Sequence, residues 1–396
     1  MKRVFAVVMA LVLSLGILAG CGGAKAPTTP AAPAAPAEKV IKIGVIAPMT
    51  GDVKTFGEST KNGFDLAIQQ AGLKAGDYKV VAVYGDDKND PTEGVNVATK
   101  MINQDKVQAI VGSVSSKVSI PISEVANANK IPMITGTSTN TKVTVDEKGV
   151  VKPYIFRACF IDPFQGLVAA KFVTENLKLK TAAIMYDKGN DYTVGLAEQF
   201  KLNFEKAGGK VVAMESYGKD DADFNAVLTN IAAKKPEMLY LPDYYNKVNL
   251  IAKQALAKGL KVPMMGGDGW DSGDLDFVTL DGMYFTNHYS EKDTRPEVQN
   301  FVKTYGEKYK DKDGKPAVPD ALAALAFDAT NILLQGVKVA NSNDGTKIKD
   351  AIKALNGFPS VSGKVSFDAS NNPVKAAAIL QVKKDKTYGF VTTVNP

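Results

Sequence analysis

The sequence predicts an α/β protein of two doubly wound lobes, each built on a mostly parallel sheet. Three observations carry this. Apolar strand-like runs alternate with helical stripes over 40–134, and the same rhythm starts again near Asp162 and continues to about residue 265. Two βα series of similar length and design each favour a parallel sheet with helices on its faces. The stretch 106–139 reads strand, polar loop, helix, strand, polar loop, and both of its strands end in small hydroxyl residues. After residues 284–286 the rhythm changes to two long helical patterns and short closing strands, which need an existing sheet to cover or extend.

The chain opens with Met1-Lys2-Arg3 and an uncharged apolar run from Val4 to Ala19. A basic start and a short apolar core read as a secretory signal over 1–20, not as a span of the finished protein. The run ends Leu18-Ala19-Gly20-Cys21, which resembles the lipobox of bacterial lipoproteins and makes Cys21 the expected lipidated residue. Two acyl chains there would supply stable membrane anchoring. Residues 21–39 are Ala/Pro-rich, with Pro27, Pro30, Pro33 and Pro36 every third residue. Such a segment acts as a semi-stiff tether, reaching roughly 55 Å at about 3.1 Å per residue.

The remaining residues, about 355, are comfortable for two lobes rather than one core. The net charge of +6 falls to about +4 without the signal, too little and too evenly spread to argue for nucleic acid. After Cys21 the only thiol is Cys159, within an apolar run, where it reads as a small buried hydrophobe. A single histidine, His288, and no G-x-S-x-G sequence leave a hydrolase without a nucleophile and base. Asp86-Asp87-Lys88-Asn89-Asp90 lacks calcium-loop spacing, and no metal site or cofactor is expected.

In order, 41–47 is a strand, and the helix after Gly57 carries Phe64, Ala67, Ile68 and Ala71 on one face. Residues 78–84 form a strand, followed by a helix after Pro91 with Val95, Ala98 and Ile102. The run 108–112 is a strand stopped by Gly112, and Pro121 is expected in the first turn of the next helix, which runs to about Asn129. Residues 131–134 form the strand before Thr135-Gly136-Thr137-Ser138-Thr139. In an open α/β sheet, ligands settle beyond the carboxyl ends of strands. Two adjacent strands ending in Ser and Thr, with a helix N-terminus behind one, make a corner suited to a carboxylate.

The second series gives a helix through Leu167, Ala170 and Val173, a strand at 182–186, and a helix with Leu196, Phe200 and Phe204. Strand 211–213, a helix with Phe224, Val227, Leu228 and Ile231, and strand 238–241 follow. A helix with Val248, Ile251, Ala252, Ala255 and Leu256 then leads to strand 262–265. The late helices span 297–310 and 320–340, the second with a stripe of Leu322, Leu325, Ala326, Ala329, Ile332 and Leu333. Strands are expected at 363–367, 376–382 and 388–393. The first lobe is the natural sheet for the late helices to cover, so the chain crosses between lobes more than once.

Several short sequences recur in order along 40–396: Ile41-Lys42-Ile43-Gly44-Val45 with Pro48-Met49-Thr50-Gly51, Asp86-Asp87 with Asp90-Pro91, and Ile110-Val111-Gly112 into the serine loop. Pro132-Met133-Ile134-Thr135 follows, then Phe156-Arg157 with Asp162 and Gln165-Gly166. Tyr186-Asp187 with Tyr192 and Gly195, and finally Gly266-Gly267-Asp268-Gly269, complete the set. On these the chain resembles the type I periplasmic binding proteins, specifically the branched-chain amino-acid (Leu/Ile/Val) substrate-binding proteins of ABC transporters. The resemblance implies two lobes joined by three crossovers that close over one small ligand. Lobe 1 would be 40–160 with about 288–370, and lobe 2 would be 161–287 with about 371–396.

By the same resemblance, Ser116, the backbone at Thr137 and the hydroxyl of Thr139 would hold a ligand carboxylate, with Ser138 in the same loop. Tyr192 and Asp268 would receive an α-amino group, and Phe56 and Tyr244 would line the side-chain pocket. Departures from the family pattern bear on the ligand. Asp268 is a methylene shorter than the usual Glu, Phe56 replaces a frequent Tyr, and one extra residue precedes Tyr192. Asn89 and Ser115 stand where some members carry a disulfide. The implied partners are an amino-acid ligand, a membrane permease and, through Cys21, the outer face of a membrane, with the protein a monomer. Amides, small carboxylic acids or a ligand-sensing role are the alternatives. Trp270, the only tryptophan, is expected near the cleft.

Overall fold

In the computed structural model, which describes residues 38–396, the fold begins at β1 (Val40–Ala47). The expected signal segment, Cys21 and the tether up to residue 37 lie outside the described residues. Ile41, Ile43, Val45, Ile46 and Ala47 are fully buried, the pattern of a strand covered on both faces. The chain continues through α1 (Lys54–Gln70), β2 (Lys74–Ala75), β3 (Tyr78–Asp86), α2 (Pro91–Lys100), β4 (Ala109–Gly112), α3 (Ser116–Ala128), β5 (Met133–Thr135) and β6 (Ile155–Arg157). These strands form one sheet in the order β2-β3-β1-β4-β5-β6, parallel except for the short β2 edge.

The second lobe takes over with α4 (Asp162–Lys171), β7 (Thr181–Asp187), α5 (Asp191–Lys206), β8 (Lys210–Tyr217), α6 (Asn225–Ala233), β9 (Met238–Tyr240), α7 (Tyr245–Ala257), β10 (Met264–Gly266) and β11 (Tyr284–Asn287). The chain then returns to the first lobe as α8 (Pro296–Lys308), α9 (Ala321–Ala340) and α10 (Gly345–Lys353). It crosses a third time to finish as β12 (Ala377–Lys383) and β13 (Thr387–Val394), antiparallel additions to the edge of the second sheet. That sheet runs β13-β12-β11-β10-β9-β7-β8.

The apolar stripe of α9 is used as the spacing predicts. Leu325, Ala329, Ile332, Leu333 and Val337 pack with Phe64 and Ile68 of α1 against Ile41, Ile43 and Val45. Each such leucine or isoleucine contributes about 1.5–3 kcal/mol by burial. The opposite face of the sheet is covered by α2 and α3 through Ala98, Val118 and Ile122. The two helices α1 and α9 approach so closely that a Cβ on Gly63 would stand 2.1 Å from the Ala323 carbonyl oxygen, so no larger residue fits there.

Some expectations change. Pro121 is the sixth residue of α3, not in its first turn, because the helix starts at Ser116, directly after the serine loop. Residues 363–367 form only isolated bridges, Phe358 with Val365 and Phe367 with Pro373, because no strand lies alongside for a longer ladder. The helix α10 has no counterpart in the sequence reading. Trp270 is fully buried in the second lobe, where its indole N–H donates to the Leu241 carbonyl at 3.0 Å, so it packs the core rather than the cleft.

Candidate functional site

Both sheets reverse their direction of growth at one point, between β1 and β4 in the first and between β7 and β9 in the second. Loops at such switch points splay apart and leave a crevice at the carboxyl ends of the strands. The loops that leave β1, β4, β5, β7, β9 and β10 supply one shared cleft. It is lined by Phe56, Val114, Ser116, Thr137 and Leu322 from the first lobe and by Tyr192, Tyr244, Asp268 and Gly269 from the second. Phe56, Ser116, Tyr192 and Leu322 lie in the first turns of α1, α3, α5 and α9, and Tyr244 directly precedes α7.

The first-lobe wall has free donors. Ser116 is the first residue of α3, and the Ser115 side chain does not cap that helix. The leading N–H groups of a helix have no intrahelical partner and attract an anion. The Ser116 hydroxyl accepts the Asn140 N–H at 3.2 Å. Thr137, which lines the cleft, donates its hydroxyl to the Val114 carbonyl at 2.9 Å. Thr139 is fully buried, and its Oγ1 has no hydrogen-bond partner among the described residues. Ser138 faces away from the lining, bonded to Ser119 and the Val114 carbonyl. The loop is shaped from below by Arg157, whose guanidinium donates to the carbonyls of Ser138 at 2.6 Å and Asn140 at 2.8 Å.

The second-lobe wall centres on Asp268. One carboxylate oxygen accepts from the Gln165 amide at 2.8 Å and the Tyr192 hydroxyl at 2.9 Å, and the other lies 3.0 Å from His288 Nε2. Tyr192 in turn accepts the Gly269 N–H at 2.9 Å and stacks on Tyr244 with ring centroids 5.1 Å apart. A Cβ on Gly267 would stand 2.5 Å from the Tyr192 hydroxyl, so the glycine is what lets the tyrosine reach the acid. Asn190 directly precedes α5 and caps it, its side chain accepting the Tyr192 N–H at 3.3 Å. Phe56 meets Tyr244 edge-on at 5.7 Å across the cleft.

The cleft is shut. Tyr245 donates to the Asp52 carbonyl at 3.1 Å, Thr55 meets Ser272 at 3.1 Å, and the Asn140 amide donates to the Asp191 carbonyl at 2.8 Å. Asp271 of the second lobe accepts the Ala321 N–H at 2.8 Å, capping α9 from across the cleft. Only about 20 Å³ remains between the lining side chains, the room of a single water. A solute can therefore enter only with the lobes apart.

Behind this wall lies Asp162, fully buried, its oxygens short of any well-formed hydrogen bond among the described residues although the Thr139 hydroxyl and the Asn140 amide stand close by. Burial pushes its carboxyl up to about 7; Thr139 opposes this, and the Asp268 charge adds to it. His288 stacks on Phe160 at 3.7 Å, and burial lowers its pKa against the pull of Asp268. The Asp86-Asp87 pair is scaffolding. Asp86 holds the Met49 and Thr50 N–H groups, Asp87 accepts the Ser113 hydroxyl, and Asp90 caps α2. Ser115 donates to the Asn89 side chain at 2.7 Å, tying the serine loop to the start of α2.

Sequence reasoning assigned no role to Val114, Leu322 or Gly269, which line the cleft, or to Gln165 and Asp162, which back it. Leu322 is indistinguishable by spacing from the core stripe of α9, and Val114 is one apolar residue in a serine loop. Asp162 and Gln165 were visible as motif residues, and their closeness to Asp268 was the only signal missing.

Residues 40–387 match the family model described as periplasmic binding protein. The chain is 32% identical over 337 residues to the Leu/Ile/Val-binding protein homolog 2 of Brucella abortus (strain 2308), covering 84% of this chain and 87% of that protein. Among solved structures it is similar to a leucine binding protein, LivK, of Thermotoga maritima MSB8, with TM-score 0.84, 34% identity, and 90% and 99% of the two chains covered. It is also similar to an ABC-transporter solute binding protein of R. palustris in complex with benzoate, with TM-score 0.80, 25% identity, and 90% and 97% covered.

Proposed function

Since the chain belongs to the periplasmic binding protein family, we propose that it captures a small apolar amino acid of the branched-chain class and delivers it to an ABC permease. One observation carries this reading. The cleft sets an unpaired helix N-terminus at Ser116 against a carboxylate at Asp268, with Phe56, Val114, Leu322 and Tyr244 as an apolar surround. An α-carboxylate suits the first, an α-ammonium suits the second, and an aliphatic side chain suits the surround. In this reading Ser116, the Thr137 backbone and the Thr139 hydroxyl take the carboxylate, and Tyr192 and Asp268 take the amino group.

The lobes, 40–160 with about 288–370 and 161–287 with about 371–396, close about their three crossovers. The solute binds the first lobe, and the second swings in to add Asp268. Closure is favoured only by the solute's extra affinity for the closed form. The protein works as a monomer without chemistry on its solute, in keeping with relatives named as binding proteins. Cys21 anchors it to the outer face of the membrane.

A second reading, a carboxylic acid lacking an amino group, is favoured by one fact. Both oxygens of Asp268 already have partners in Gln165, Tyr192 and His288. The benzoate complex of the R. palustris protein is in line with it. A thermal-shift panel on refolded, ligand-stripped protein separates the two. A solute at a thousand times its dissociation constant adds about 4 kcal/mol, hence roughly 10 °C. Shifts with leucine, isoleucine and valine uphold the first reading. Shifts confined to benzoate and 4-methylpentanoate replace it with the second.

A further inference from the structure

A second cavity lies where two of the three crossovers run beside each other, and the transport reading gives it no role. It holds about 610 Å³, and its walls are the second crossover (288–295), the third (374–378), the loop at 362–364 and the edge strand β13. That volume falls within the roughly 300–1,000 Å³ typical of small-molecule pockets.

Its lining is cationic. Lys292, Arg295, Lys364 and Lys375 face it with Asp293 as the one acid. Arg295 is held in place by the Asp293 carboxylate at 2.8 Å and by the Val361 carbonyl at 2.9 Å. Lys375 is 6% exposed. Its ammonium donates to the Ala158 carbonyl at 2.7 Å and to Ser362, whose hydroxyl in turn donates to the Asp328 carboxylate. Lys364 makes no hydrogen bond or ion pair among the described residues, and its ammonium is free to turn to the cavity. Four cationic side chains against one acid in the lining give the cavity a net positive field, which favours an anion.

The cavity also has an apolar side. Val374 and Phe390 are 62% and 50% exposed, and both line it. His288 is a further wall residue, 6% exposed, and its Nδ1 has no hydrogen-bond partner among the described residues. Through Nε2 the same ring reaches Asp268, so His288 stands between the cavity and the acid of the cleft without lining the cleft itself.

We propose that this crossover cavity is a second binding site, for a small organic carboxylate with an apolar body. The anion faces Arg295, Lys364 and Lys375, and the body lies on Val374 and Phe390. The site is independent of which solute the cleft takes, because none of the cleft-lining residues belongs to it.

Calorimetric titration of the purified protein with octanoate tests it, alongside Lys364→Glu and Ser116→Ala variants. Lys364 is exposed, so its substitution leaves the fold intact, and Ser116 belongs only to the cleft. Saturable binding is expected, weakened at least tenfold by Lys364→Glu and less than threefold by Ser116→Ala. Three results overturn the proposal: no saturable binding, equal affinity in Lys364→Glu, or loss of binding in Ser116→Ala, which would put octanoate in the cleft. The amino-acid panel on the same proteins reads the transport function separately, so either reading can fail alone.

Discussion

Asp162 shows how the site stores unpaired polarity. Its carboxyl is buried beside Asp268 without a well-formed hydrogen bond among the described residues, and burial pushes its pKa up to about 7 against an unfolded value near 3.9. The folded state therefore holds an extra proton between these two values. The contribution is fully present below about pH 4 and is lost as pH rises through 7. Asp162→Asn should raise the thermal midpoint by a few degrees at pH 8 and by much less at pH 5, at roughly 2–4 °C per kcal/mol. An equal change at both pH values would mean that the carboxyl titrates normally. At this scale the sequence was informative where chemistry needs a particular residue type, as at Asp268, Ser116 and Tyr192. It was silent on Leu322 and Val114, whose apolar side chains serve core and cleft alike.

The elements explain why the cleft sits where it does. Helices α1, α3, α5 and α9 begin at the cleft; α3 follows the serine loop, α5 is capped by Asn190 and α9 by Asp320, all polar signals that the sequence displays. Gly63 fixes the packing of α1 on α9. Gly63→Ala should cost at least about 2 kcal/mol by overpacking against the backbone at Ala323, seen as a lower denaturation midpoint; an unchanged midpoint would mean the helices can separate freely. The N-terminus of α9 is capped twice, by its own Asp320 and from across the cleft by Asp271. Asp271→Ala leaves the Asn287 amide unpaired in either form but the Ala321 N–H unpaired in the closed form only, and should weaken solute binding about tenfold. An unaltered dissociation constant would remove this contact from closure.

Strands such as 109–112 were legible because a buried parallel strand is a bare apolar run stopped by glycine. Helix α10 was not, because only Ile348 and Ile352 are buried in a lysine-rich stretch. The expected strand at 363–367 has strand-like spacing, and only the absence of a neighbouring ladder, a tertiary fact, decides against it.

For the whole molecule, the two lobes and three crossings followed from the change of rhythm after residue 286 together with the family resemblance. Closure could not be read from sequence, since it depends on contacts between residues far apart in the chain, such as Thr55 with Ser272, 217 residues apart. A cleft with room for one water cannot admit an amino acid, so the solute-free protein should populate a more open form. Small-angle scattering should then give a larger radius of gyration without solute than with it. Equal radii would mean that the lobes do not move.

The most direct test is calorimetric titration of leucine into ligand-stripped protein, wild type and Asp268→Ala. The account predicts tight one-to-one binding, weakened by about 3 kcal/mol or more in the variant, because the buried ammonium loses its carboxylate. Equal affinity in the two proteins, or binding of 4-methylpentanoate as tight as that of leucine, would contradict it.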